Sequence, residues 1–379
     1  MNNGGRVETI SQALMQTVQE AGKALQSHLR AHAVNATCVG ILSGAGEVIA
    51  LDDRSFLGGL GIGAKRVLDH IGNNLRRGDI VITNDPYSGA ISLRHIFLLC
   101  PVYGVSPEPV AILVAQAKVP DVGGAVARGR AHGATELLAE GVRITPVRLR
   151  RHGKSDHGLL ETILLNSREP EEFRCAIIGM RNAVESVEIS LRKLLEEFGD
   201  SAVGAVFDEV LERAAGEARM LLRRIPDASA SAGRLLPGDG TGRDDLLVSV
   251  TVQKDGNRLV LNFSQTGPQS TRFVNSSFAN TWKCATSPFA LRLEGSGPVN
   301  GGTLRCLEIK ANEGSLVCPT LPAPTGWGVL CPGAEIFDVV NEALHSLLAD
   351  EVDLRHPPSL NTTPPGDYDG LAALLANKA

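Results

Sequence analysis

The chain has 379 residues, 43% of them hydrophobic and 21% charged, with a formal net charge of −5 and a pI near 6.0. That balance is typical of a globular protein with enough apolar residues for a sizeable core, on the scale of two or three packed units. It argues against a basic nucleic-acid face or an anionic-membrane anchor, and an aromatic content of 4% argues against a base- or sugar-stacking platform.

The N-terminal stretch MNNGGRVETISQALMQ has no apolar core of the kind a secretory signal carries. No apolar run reaches the length of a membrane span. A cytoplasmic chain is the expectation, and the seven cysteines agree with it. Their irregular spacing contains no C-x-x-C, which speaks against a disulfide framework or a structural zinc site and for free thiols.

Residues 7–32 have Ile10, Leu14, Val18, Ala21 and Leu25 at helical spacing and predict an amphipathic helix. TCVGILSGAGEVIAL predicts a hairpin over 37–51. Helical periodicity returns at 62–75. GDIVITNDPY then gives a buried strand, Ile80 to Ile82, ending in a polar turn. The branched apolar runs 97–103 and 109–119 predict central strands covered on both faces, and the Gly/Ala/Arg stretch from Asp121 to His132 predicts a loop.

Residues 169–199 give the clearest helix. Pro170 stands in its first turn, Glu171 and Glu172 follow where the helix dipole favours acids, and Gly199 ends it. A second helix is expected over 202–223. The Ser/Ala/Gly/Asp-rich stretch 226–244 is the best candidate boundary. Two β-rich runs then flank Lys254-Asp255-Gly256-Asn257, the strongest hairpin signal in the chain. A helix is expected over 337–348. The fold class is therefore mixed α/β (α+β), with an N-terminal α/β portion over 1–225, a β-rich portion over 226–350 and a tail over 351–379.

Five segments in fixed order carry a family resemblance: GDIVITNDP (78–86), DVGG (121–124), LLAEGVRITPVRL (137–149), NSREPEEFRCAI (166–177), and LPAPTGWG (321–328) followed by FDVVNEALHSLL. Together they resemble the hydantoinase B/oxoprolinase family, which includes subunits of acetone and acetophenone carboxylases. The resemblance implies a partner, a hydantoinase A-like subunit of actin-like fold that holds ATP and Mg and phosphorylates a lactam, imide or enol oxygen. It implies for this chain the B-type role in ATP-dependent hydrolysis of a cyclic amide, with no cofactor of its own. Two other roles stay open: a subunit of a ketone carboxylase, and a non-catalytic structural subunit.

The departures from the family pattern concern its metal ligands. The family's N-D-P-Y-x-G-G-T-H-x-x-D reads here NDPYSGAISLRH, so Ser92 stands at the His position and His95 at the Asp position. The second His, ahead of DVGG, falls at Lys118 or Val119. In the carboxylases these positions bind a divalent metal, which a hydroxyl and an ammonium do not suit, so no metal is expected here. Phe56 replaces the His of the family's H-L-G motif.

Seven residues are candidates for the site. Asn84 and Asp85 either face substrate or cap a strand end as an Asx turn. Gly123 and Gly124, after Asp121, either present N–H groups to an anion or form a plain turn. Arg128 is a clamp on an anion or a solvated loop residue. Asp85 or Asp121 would orient a water onto an activated carbonyl carbon, and His95, titrating near neutrality, would take the proton. Cys100 reads as a nucleophile or a buried thiol. GGLGIGAK (58–65) lacks the Ser or Thr that completes a phosphate loop.

Overall fold

A computed structural model describes residues 3–348, apart from 130, 237, 244–245 and 296. The tail expected over 351–379 lies outside the described residues. The chain begins with helix α1 (Asn3–Leu29), strands β1 (Asn35–Ser43) and β2 (Val48–Leu51), and helix α2 (Leu57–Ile71). Strands β3 (Ile80–Thr83), β4 (His95–Tyr103), β5 (Pro109–Lys118), β6 (Val147–Arg151) and β7 (Lys154–Ser155) complete a seven-stranded sheet of order β2-β1-β5-β4-β3-β6-β7. Its neighbouring strands all pair antiparallel.

Helices α3 (His157–Leu164), α4 (Pro170–Phe198) and α5 (Asp200–Arg223) follow. A second, four-stranded sheet then forms from β8 (Ala228–Leu235), β9 (Leu247–Asp255), β10 (Arg258–Asn262) and β11 (Leu307–Lys310) in the order β11-β10-β9-β8. Helix α6 (Phe278–Arg292) and the short α7 (Gly301–Leu304) lie between β10 and β11, and α8 (Gly333–Leu348) closes the described chain. The chain is mixed α/β, with sheets and long helices, as the periodicities predict.

The first sheet separates two apolar cores, because successive side chains of a strand point to opposite faces. On one face Val39, Ile41, Ile82, Ile96, Leu98 and Leu113 pack against α1, α4 and α5. On the other, Leu42, Val81, Phe97, Leu99, Ile112 and Val114 join α2, α6, α8 and the second sheet. Every residue of β4 is buried, as its unbroken apolar run predicts. No helix among the described residues is long and apolar enough to cross a membrane.

Three elements depart from the sequence expectations. Helix α2 starts at Leu57, five residues earlier than its periodicity indicates, and absorbs GGLGIGAK. The Asp53 carboxylate accepts from Ser55 N and starts the turn that leads into it. Residues 228–235, within the stretch read as a candidate boundary, form the edge strand β8, paired in register along β9. Helix α6 was not expected at all. Ser277 caps it, Pro288 stands inside it, and its polar residues are buried along with its apolar ones.

Two of the glycines of α2, Gly58 and Gly59, lie in close contact with α6. A Cβ on Gly58 would lie 2.6 Å from the Trp282 carbonyl oxygen and 2.2 Å from Thr286 Oγ1, whereas one on Gly61 would meet only Val48 Cγ2 at 3.4 Å. We predict that Gly58→Ala destabilises the fold by about 1–3 kcal/mol through overpacking. Gly61→Ala, in ordinary contact and gaining helix propensity, should instead be neutral or stabilising by up to about 1 kcal/mol. Urea unfolding of the two variants, compared at equal m-value, checks the contrast.

Candidate functional site

The five sequence segments meet at one end of the first sheet, around a stretch of buried, irregular chain at residues 140–144. Such a stretch lacks a ladder for its backbone groups, so side chains must supply partners. Asn84, fully buried just after β3, does most of this. Its Nδ2 donates to Leu93 O at 2.7 Å and Val142 O at 2.9 Å, and its Oδ1 accepts from Ile144 N at 2.7 Å. All three hydrogen-bonding positions that the fold offers are taken up by the chain itself.

Asp85, also fully buried, accepts from Tyr87 N, from Ser88 Oγ at 2.6 Å and from the Arg143 guanidinium at 2.8 Å. It therefore combines an Asx turn with a charge-assisted bond to the 140–144 stretch. Asp121, on the other side of that stretch, gathers three backbone donors: Gly123 N at 2.7 Å, Arg128 N at 2.7 Å and Arg168 N at 3.0 Å. Burial pulls its carboxyl upward, but these N–H groups and the nearby Arg168 guanidinium outweigh burial and hold it below the usual Asp range.

The N–H of Gly123 is thus turned to Asp121 rather than outward. Both glycines have positive φ and close neighbours: a Cβ on Gly123 would lie 2.2 Å from Asn166 O, and one on Gly124 2.7 Å from Ala139 O. The loop is wedged between residues 139–141 and the approach to α4. Arg128 is largely exposed and donates from Nε to Glu169 at 3.0 Å. Val142 N donates to Val122 O, and Ser167 Oγ donates to Asp121 O, which ties the remaining segments in.

Two residues of this network escaped the sequence reading although they stand inside a quoted motif. Arg143 is the partner of Asp85. Glu140 is buried and accepts from Thr325 N at 2.9 Å and Gly326 N at 2.8 Å, which fastens LPAPTGWG to the site. Burial pushes its carboxyl up to about 7, against the two N–H bonds and the Arg94 charge, which lower it. Tyr87 Oη adds a bond to Ala323 O at 2.6 Å. The available signal was the E-G-hydrophobic-R pattern itself, since acids and arginines inside an otherwise apolar motif need partners when buried.

His95 opens β4 and is opposite Lys118 in the β4–β5 pairing. Its Nδ1 lies 2.7 Å from Ser92 Oγ, and both residues are buried. Burial, and then the charges of Lys118, Arg94 and Lys283, push the imidazole well below its usual range and keep it neutral. A cavity of about 30 Å³ adjoins this pair, lined by Ser92, Arg94, Lys118, Gly129, Gly326, Trp327, Val329 and Leu330. The positions where the resemblance implies metal ligands therefore do converge. Their donor set, a hydroxyl bonded to a buried imidazole among cationic side chains, does not fit a divalent cation.

His132 packs on the Trp327 and Phe273 rings at 5.1 and 5.5 Å. Burial pushes the Cys100 thiol up to about 12, so it is protonated at neutral pH. Two larger cavities, of about 640 and 330 Å³, lie against α1 and hold none of the seven candidates. We place the site at the small cavity because Ser92 and Lys118, two of the positions where the resemblance implies metal ligands, line it together with Gly326 and Trp327 of LPAPTGWG.

The family model described as Hydantoinase B/oxoprolinase matches residues 5–364. The uncharacterized protein MJ0963 of Methanocaldococcus jannaschii is 28% identical over 333 residues, 85% of this chain and 57% of that protein. The caprolactamase subunit beta of Pseudomonas jessenii is 28% identical over 301 residues, 78% of this chain and 51% of that subunit. The crystal structure of ATP-dependent caprolactamase from Pseudomonas jessenii superimposes with a TM-score of 0.84 at 25% identity, over 90% of this chain and 60% of the matched one. The chain spans about half the length of these curated relatives.

Two outcomes follow from the bracing network. Asn84→Ala leaves three buried backbone groups without their partner and should cost about 2–4 kcal/mol in urea unfolding. Glu140 should give a pH signature. Its native carboxyl sits at about 7 and its ordinary value is 4.5, so the folded chain holds a proton that the unfolded chain releases between them. The stability it contributes is complete below pH 4.5 and is lost as pH rises through 7. Glu140→Gln should therefore show a shallower fall of stability across that window. A slope equal to wild type would show that the carboxyl titrates normally.

Proposed function

The chain belongs to the hydantoinase B/oxoprolinase family, and from that premise we propose that it is the B-type subunit of an ATP-dependent enzyme that opens cyclic amides. Its partner is a hydantoinase A-like ATPase subunit, which holds ATP and Mg and activates the amide oxygen. The observation that carries this reading is the convergence of all five family segments on the 140–144 stretch, in a chain that superimposes over nine-tenths of its length on a chain of ATP-dependent caprolactamase.

The candidate roles divide by how their polar atoms are used. Asp85 and Asp121 already accept several donors each, so they act on the reaction by fixing the loops around the cavity. Asn84, Gly123, Gly124 and Arg128 serve the same bracing. His95 is kept neutral, so it can accept a proton, and the burial and cations that keep it so also weaken it as a base. It faces the cavity through Ser92 Oγ, which can relay a proton between a water on the carbonyl carbon and the imidazole. A non-catalytic scaffold role is favoured by one observation, the use of both aspartates in bracing, and the same experiment separates it.

The test is co-expression with the neighbouring actin-like ATPase subunit and measurement of ATP turnover and ring opening with caprolactam, hydantoin and oxoproline, with acetophenone as the carboxylase probe. The expected result is ATP-dependent ring opening of a cyclic amide, lowered roughly 10²–10⁴-fold in kcat by His95→Gln. An assembled complex that opens no cyclic amide but carboxylates the ketone would replace this reading by the carboxylase one. Unchanged turnover in His95→Gln would remove the base and leave the scaffold role.

A further inference from the structure

We propose that the cavity beside Ser92 and His95 is a binding site for a small oxyanion, a carboxylate or phosphoryl group, held by Arg94 and Lys118. The β4–β5 pairing sets His95 opposite Lys118, and Val119 N donates to Arg94 O, so both cations issue from the same end of the sheet. Both line the cavity, together with the Ser92 hydroxyl and the edge of the Trp327 loop. No carboxylate is among its lining residues. The lining side chains with polar atoms, Ser92, Arg94, Lys118 and Trp327, are all hydrogen-bond donors, and Ser92 alone can also accept.

The volume of about 30 Å³ exceeds what one water needs and suits the oxygens of one anionic group rather than a whole substrate. Arg94 and Lys118 each have a further interaction within the chain. A guanidinium with five donors and an ammonium with three can serve a ligand while keeping such contacts. Glu140, a buried acid close by, accepts from the amides of Thr325 and Gly326, and burial pushes its carboxyl up to about 7, so it offsets the nearby Arg94 charge only in part at neutral pH. Lys283 adds a third positive charge that reaches His95. The field at the place where family relatives are implied to hold a cation is therefore one that repels cations and attracts anions.

This rests on the reading of the cavity as the reacting site only for the ligand's role as part of a substrate. Binding itself is measured on the chain alone, so its failure leaves the turnover test intact. Isothermal titration of the whole chain with inorganic phosphate, sodium acetate and manganese chloride is the experiment. Saturable binding of phosphate or acetate is expected, weakened about tenfold or more by Arg94→Gln and by Lys118→Gln and largely kept in Arg94→Lys. Preference for phosphate identifies a phosphoryl group, and preference for acetate a carboxylate. Binding of neither anion, anion binding that both glutamine variants leave unchanged, or saturable manganese binding that Lys118→Gln leaves unchanged would each overturn the proposal. Circular dichroism of each variant confirms its fold, and a misfolded Arg94→Gln leaves the decision to Lys118→Gln and Arg94→Lys.

Discussion

A buried stretch of chain without regular structure must find partners for its backbone groups or lose the free energy of desolvating them. Residues 140–144 are such a stretch, and most of what surrounds the site can be understood as the answer to it. Asn84 reaches across from the end of β3 to a carbonyl and an amide of the stretch, and Val122 takes up a third group from the far side. Arg143 and Glu140, the charged members of the stretch, are satisfied by Asp85 and by the 325–326 amides. Take any one away and a buried donor or acceptor is left over. The network therefore constrains the geometry of all the loops at once, which is why the segments can act as one unit although up to about 240 residues separate them in sequence.

The regular elements were legible in the sequence where one physical signal dominated. Helix α4 shows a single apolar face, a first-turn proline, two acids and a terminal glycine, and its bounds agree with those marks to within a residue. The β9–β10 hairpin declares itself by alternation around Asp-Gly. Helix α6 carries no such signal. Asn280, Thr281 and Thr286 are buried on it as completely as Ala285 and Phe289, so its buried face mixes polar and apolar residues and no apolar period marks it. Its polar groups are satisfied tertiarily: Thr281 Oγ1 donates to Val317 O, and Asn280 Nδ2 to Gly328 O. Strand β8 was hidden for a different reason. Ala-Ser-Ala-Ser-Ala-Gly has low intrinsic strand preference, and its place at the sheet edge is fixed by the register of β9.

Of the site, the sequence revealed which segments matter but not how their atoms are shared. NDPY and DVGG read equally well as ligand-facing or as turn-forming. The alternatives differ only in whether the carboxylates of Asp85 and Asp121 find donors elsewhere in the chain. Those donors are Arg143, 58 positions from Asp85, and Arg168, 47 positions from Asp121. No local pattern contains that information. By contrast, the cluster of Ser92, His95 and Lys118 could be anticipated as a place, because the family pattern aligns them, while the field of Arg94 and Lys283 around it depends on packing between β4, β5 and α6.

The arrangement separates two functions that a metal centre would combine. A bound cation both organises its ligands and supplies charge to the reaction. Here organisation comes from the bracing carboxylates and amides, of which Gly326 also lines the small cavity, whereas charge comes from the side chains of Arg94 and Lys118, which line it too. The two sets overlap at Gly326, and the Arg94 charge acts on Glu140, but most of the bracing bonds involve no side chain of the cavity. A hydroxyl at position 92, an imidazole at 95 and an ammonium at 118 reverse the sign of the field expected from a metal-ligand set, and the surrounding backbone nevertheless keeps the fold of a caprolactamase chain. The chemistry of this end of the sheet is thus set by a few side chains on a frame braced largely by others.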